Sequence, residues 1–144
     1  MVISADTSFL YSFYGNDSHS RTALEWTKEH PFQVQVTAPV RFELSNALRF
    51  SESRGFLAAG LSERFISQFE SDLRRGLLSE SPIDLAMLFP EADRISARYT
   101  LTGGHRAFDI LHIAAAKLMR ATHFLTFDAN QKALAGKEGL VVPF

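Results

Sequence analysis

The sequence predicts an α/β domain with a mostly parallel central sheet flanked by helices. Short apolar runs alternate along the whole chain with longer segments of helical periodicity, the pattern of strand–helix units. Two of the runs end directly in an aspartate that opens a helix, as a strand-to-helix turn requires. No internal repeat or low-complexity segment interrupts the alternation, and the 144 residues are read as one domain spanning 1–144.

The elements follow in order. Residues 2–5 form an apolar strand ending at Asp6-Thr7-Ser8, after which Phe9, Leu10 and Phe13 recur at helical spacing. A second helix over about 18–29 stops at His30-Pro31. Residues 33–37 alternate polar and β-branched side chains, as a half-buried strand does. Pro39 opens a helix to about Arg54, closed by Gly55. Leu61 to about Arg75 is amphipathic, with Phe65, Ile66, Phe69 and Leu73 on one face, and Gly76 ends it. Residues 77–79 read as a short strand. Pro82 is expected to start a helix reaching about Tyr99, interrupted at Pro90, with Gly103-Gly104 as a loop. Residues 107–120 are helical and apolar on nearly every face, which predicts a helix enclosed by the protein. A strand over 123–126, a short helix over 128–135 and a last strand over 140–142 complete the chain.

Composition narrows the function. The absence of cysteine excludes thiol catalysis, zinc ribbons and disulfide scaffolds. The N-terminus has no basic leader and Asp6 breaks its apolar run, so no signal peptide is expected. No stretch approaches the roughly 20 apolar residues of a membrane span, and a cytoplasmic location without membrane contact is the expectation. The net charge of −1 excludes a generally basic nucleic-acid binder, although eleven of the fifteen basic residues are arginine, the side chain suited to forked phosphate contacts.

Four acids stand in apolar surroundings at strand ends or early helical turns: Asp6, Glu43, Asp109 and Asp128. Each has an ordinary explanation. Asp6 and Asp128 suit helix N-caps, and Glu43 lies where a helix dipole favours negative charge. Yet Glu43 is at i+3 from Val40 and i−4 from Ala47, so it borders the core stripe. Asp109 is the hardest to explain in that way. The dipole supplies only about 0.3–1 kcal/mol at a helix N-terminus. Desolvating an unpaired charge costs several kcal/mol, so Asp109 needs a cation, an arginine or open solvent. In α/β sheets ligands bind outside the carboxyl ends of the strands, which puts Asp6 and Asp128 on one edge.

A carboxylate cluster without cysteine selects a hard ion, Mg²⁺ or Mn²⁺, over zinc. Such an ion would orient and activate water against a phosphodiester. Thr7, Ser8, Thr126 and Asn130 lie beside the acids and suit hydrogen bonds to them, or equally caps and turns. His112 shares a helix face with Asp109 at i+3, where a hydrogen-bonded core histidine is the commoner role than a metal ligand. Arg41, Arg49, Arg98 and Arg106 are near the acids in sequence, suited to RNA phosphates or to ordinary surface ion pairs.

These residues resemble a known family. ADTSFL, FELSNAL, FDILHIAAAKL and THFLTFDANQKALA, in this order over nearly the whole chain, are similar to PIN-domain ribonucleases, most of all the VapC-like toxins of type II toxin–antitoxin pairs. The resemblance implies a PIN-like fold and a Mg²⁺- or Mn²⁺-dependent endoribonuclease whose leaving oxygen departs as the 3′-hydroxyl. It assigns metal binding and catalysis to Asp6, Glu43, Asp109 and Asp128, with Asp6 and Asp109 as the direct ligands. It matches Thr126 to the family's hydroxyl residue and Asn130 to a position that is often polar or acidic. It also implies a homodimer and a cognate antitoxin whose tail blocks the pocket.

Two related readings stand beside it: a PIN-type nuclease that is not a toxin, and a catalytically silent module that docks RNA or protein. An aspartyl phosphotransfer domain is disfavoured, because Asp6 is followed by Thr-Ser rather than x-Asp and lysines are few.

Overall fold

A computed structural model describes residues 1–31 and 33–144. Among these, four short strands form one parallel sheet: β1 (Ile3–Ala5), β2 (Val34–Val36), β3 (Leu78–Glu80) and β4 (His123–Leu125). The spatial order is β3-β2-β1-β4. Ile3 aligns with Val34 on one side and His123 on the other, and Val34 aligns with Leu78. The chain steps outward from β1 through β2 to β3, then returns to the far side of β1. The switch point therefore falls between β1 and β4.

Among the described residues seven helices cover the sheet: α1 (Thr7–Tyr14), α2 (Ser20–Glu29), α3 (Ala38–Ser53), α4 (Leu61–Arg74), α5 (Leu85–Gly103), α6 (Ala107–Leu118) and α7 (Ala129–Lys137). They bury apolar stripes in two clusters. Ile3, Ala5 and Leu125 face a core built with Phe9, Leu10, Leu44, Leu48 and Phe69. Phe124 faces the other, with Leu88, Ile95, Ile113 and Leu134. Adjacent residues Phe124 and Leu125 thus serve opposite faces, as the two-residue strand period demands. A parallel sheet buried on both sides explains why β1 has no exposed residue.

α6 is the enclosed helix expected from its composition: Ile110, Ile113 and Ala114 to Ala116 are all buried. Its small residues let it lie close against α5.

Three expectations are corrected. The fifth helix starts at Leu85 rather than Pro82, because the Asp84 side chain caps it by accepting from the Ala86 N–H at 2.9 Å. That helix runs through Pro90 unbroken to Gly103. Pro90 is six residues in and removes one hydrogen bond, while Leu88, Ala92, Ile95 and Tyr99 anchor the helix by burial. The last strand is reduced to a parallel bridge between His123 and Val141. Among the described residues no helix is long and apolar enough to cross a membrane.

Candidate active site

The carboxyl edge of the sheet opens into a cavity of about 360 Å³ whose walls include Asp6, Glu43, Asp109 and Asp128. Four separated segments bring them there. Asp6 leaves the end of β1, Asp128 follows β4, Glu43 projects from α3, and Asp109 lies in the first turn of α6. The position is the crevice at the switch in strand order, where α/β sheets take ligands.

Asp6 is 2 % exposed. Its Oδ1 accepts from the Ser8 hydroxyl at 2.7 Å and the Phe9 N–H at 3.0 Å, and its Oδ2 from the Thr126 hydroxyl at 2.5 Å. Burial dominates its titration and pushes the carboxyl up to about 6 despite these hydrogen bonds. The Asp6 backbone N–H donates to the Leu125 carbonyl at 3.0 Å, which ties it to β4. Asp128 caps α7 by accepting from the Gln131 N–H at 2.8 Å. Both aspartates are therefore helix caps and cavity walls at once.

Glu43 accepts from the Thr7 hydroxyl at 2.6 Å and from Nε2 of His112. Burial pushes this carboxyl up, but the hydrogen bonds from His112 and Thr7, with the charges of His112 and Arg106, outweigh it and hold Glu43 below its ordinary value. His112 is buried, and its Nδ1 has no partner among the described residues. Asp109 accepts from Nε of Arg106 at 3.0 Å, and the same guanidinium stands 3.9 Å from Asp128. Hydrogen bonding to Asp109 raises the Arg106 pKa further.

Thr7, Ser8 and Thr126 thus each hold an acid. Asn130 is exposed in α7 and lies outside the cavity wall. Of the four arginines singled out from sequence, Arg106 lines the cavity. Arg41 pairs with Glu70 and Glu80, Arg49 pairs with Glu63, and Arg98 lies over the Tyr99 ring. Sequence reasoning missed Tyr11, Ser12, Asp17, His19 and Phe127, which complete the wall. Asp17 and His19 sit in the loop between α1 and α2, where no periodicity or motif marks a side chain as facing a site. Among the described residues no three histidine, aspartate or glutamate side chains are gathered closely enough to hold a metal ion. As placed, Asp109 is engaged by Arg106 and Glu43 by His112. The donor chemistry itself, three carboxylates sharing a cavity with the buried Asp6 whose ionisation is disfavoured, fits a hard divalent cation.

A PIN-domain family model matches residues 3–137, and the chain belongs to the PIN-domain family. No curated protein matches its sequence significantly. Solved structures share the fold at low identity. VapC20 of Mycobacterium tuberculosis, described as a sarcin–ricin loop cleaving toxin, is 17% identical with a TM-score of 0.74, over 96% of each chain. VapBC2 of Rickettsia felis, bound to a fragment of its promoter DNA, is 14% identical with a TM-score of 0.67, over 99% of this chain and 97% of that one. PAE2754 of Pyrobaculum aerophilum is 16% identical with a TM-score of 0.65, over 99% and 90%.

Proposed function

We propose that this chain is a Mg²⁺- or Mn²⁺-dependent endoribonuclease and the toxin of a type II toxin–antitoxin pair, acting as a homodimer and restrained by a cognate antitoxin. The observation that carries the reading is the convergence of Asp6, Glu43, Asp109 and Asp128 on one cavity at the carboxyl edge of the sheet. PIN domains are typically metal-dependent nucleases, and the VapC20 and VapBC2 similarities support the toxin reading and an antitoxin partner.

Asp6 and Asp109 would hold the ion directly, with Glu43 and Asp128 completing the acidic wall. Bound there, the ion would activate water and neutralise charge developing on the phosphodiester. The chain's own residues do the rest. Ser8, Thr126 and the Phe9 N–H aim the Asp6 carboxylate, and Thr7 and His112 aim Glu43. Arg106, whose side chain is 77% exposed, has the forked donor geometry for a phosphate at the cavity mouth.

The alternative of a catalytically silent RNA- or protein-binding module draws on the pairing of Asp109 with Arg106 and of Glu43 with His112, which satisfies two of the acids internally. The two readings part on turnover. Purified protein with Mg²⁺ or Mn²⁺ is expected to cleave RNA, and Asp109→Asn and Asp6→Asn are each expected to reduce cleavage at least about a hundredfold. Chelator-resistant cleavage surviving in both variants would refute the nuclease reading. Growth arrest on expression, relieved by coexpressing the small protein encoded next to it, separates a toxin from a housekeeping nuclease.

A further inference from the structure

Two rings in the wall of the acidic cavity, Phe127 and His19, end a column of aromatic rings that starts in the core. Phe13 and Phe9 stack with centroids 6.2 Å apart at 15°. Phe9 and Phe127 follow at 5.8 Å and 22°. Phe127 and His19 close the series at 4.5 Å and 9°, the nearest and most parallel of the three steps. Phe9 is buried in the core, whereas His19 is exposed at the cavity lip, and both Phe127 and His19 line the cavity. The column therefore leads from the core to an exposed ring in the same cavity wall as the acids.

The base of the column is rigid. Phe144 packs against both Phe9 and Phe127, at 5.8 and 4.7 Å. The Phe127 N–H donates to the Ser8 hydroxyl at 3.0 Å, the same hydroxyl that holds Asp6. The outer ring is fixed through its loop: Asp17 accepts from the His19 N–H at 2.8 Å and from the buried Ser12 hydroxyl at 2.8 Å. An exposed imidazole held parallel to a phenyl ring presents a flat, preorganised π surface. The flat groups that a single-stranded nucleic acid offers are its unstacked bases, which stack on aromatic side chains, histidine included.

We propose that His19, backed by Phe127, is a nucleobase-stacking subsite for single-stranded RNA, holding a base next to the scissile phosphate by extending the aromatic column. This rests on the ribonuclease reading for its substrate. Because every base has a π face, the subsite favours an unpaired nucleotide without selecting its identity. It sets a requirement for single-stranded RNA and leaves sequence choice to other contacts.

The test uses single-stranded RNA oligonucleotides carrying 2-aminopurine at successive positions around the cleavage site, with wild type, His19→Ala and His19→Phe. His19 is exposed, so both variants are expected to fold, which circular dichroism checks. Binding of wild type is expected to quench 2-aminopurine at one position. His19→Ala should lose that quench and lower kcat/KM about tenfold, mainly through KM, while His19→Phe keeps both. An abasic nucleotide at that position should impair wild type equally and His19→Ala no further. The proposal is overturned if His19→Ala matches wild type in quench and KM, as it would if the lip served a protein segment. It is also overturned if His19→Phe is as impaired as His19→Ala, which would mean the imidazole acts chemically. Wild type that binds with His19-dependent quenching but never cleaves sinks the nuclease reading and keeps the subsite. Cleavage without such quenching does the reverse, and absence of both binding and cleavage removes both.

Discussion

Asp6 shows at the scale of one residue how a cap and a functional acid coexist. A carboxylate has two oxygens, and here one serves the Phe9 N–H and Ser8 while the other meets Thr126. From sequence, capping and site roles are alternatives, because a motif records residue type and not the direction of each oxygen. Burial makes this arrangement costly. With the folded pKa at about 6 against an ordinary 3.8, the folded state binds the proton more tightly than the unfolded chain. The penalty is absent below the ordinary value, grows as pH rises and is complete above about 6, on the order of 3 kcal/mol. Asp6→Asn keeps the capping oxygen and removes the charge. In the presence of chelator it is expected to melt above wild type near pH 8, with the difference closing toward pH 4. A thermal-denaturation series over pH checks this, and a variant less stable than wild type at the alkaline end would contradict it.

At the scale of elements, the sequence carries α6 to Arg120, two residues past its observed end at Leu118, for a specific reason. Helices commonly close on a left-handed glycine, and none stands here. Instead Arg120 takes φ 56°. The Ala121 N–H then reaches the Ala116 carbonyl at 2.9 Å and the Arg120 N–H reaches that of Lys117 at 3.0 Å. This is a complete C-terminal capping motif made without its usual residue. A left-handed conformation costs a non-glycine residue about 1–2 kcal/mol. Arg120→Gly is therefore expected to stabilise the protein by about 1 kcal/mol, read as a higher denaturant midpoint at unchanged m. The helix before it behaves in the opposite sense, since Asp84 and Gly104 (φ 65°) mark its ends by ordinary cap chemistry. Its predicted start was displaced because Pro82 is a weaker positional signal than the cap two residues later.

Across the whole molecule, Arg94 of α5, Lys117 of α6 and Glu138 after α7 join three segments remote in sequence. Arg94 reaches Glu138 at 2.7 Å, and Lys117 donates to the Glu138 carbonyl at 2.8 Å. Burial pushes the Glu138 carboxyl up, but hydrogen bonding and the charges of Arg94 and Lys117 prevail and hold it below its ordinary value. A depressed folded pKa contributes stability that is present above the unfolded value and lost as pH falls through the folded one. Glu138→Gln is expected to lower the melting temperature at neutral pH, with the loss shrinking as pH falls below the ordinary carboxylate range. A loss that persists undiminished in acid would show that packing, not charge, governs the position. Asp6 and Glu138 thus slope in opposite directions, so acid relieves the cavity while it loosens the junction of α5, α6 and the segment after α7.

Periodicity, strand-to-helix turns and four local acidic patterns made the α/β class, the enclosed α6 and the candidate acids legible, because each is written in residues close together along the chain. Strand order is not local: β1 lies between β2 and β4 only because two apolar faces must both be covered. That order puts Asp6 beside Thr126, 120 positions away, and Glu43 beside His112, 69 away. The His19–Phe127 stack spans the same kind of gap and carries no local mark. The acids were readable as types; their partners and the aromatic wall arise from packing, which brings together side chains that sequence spacing keeps apart.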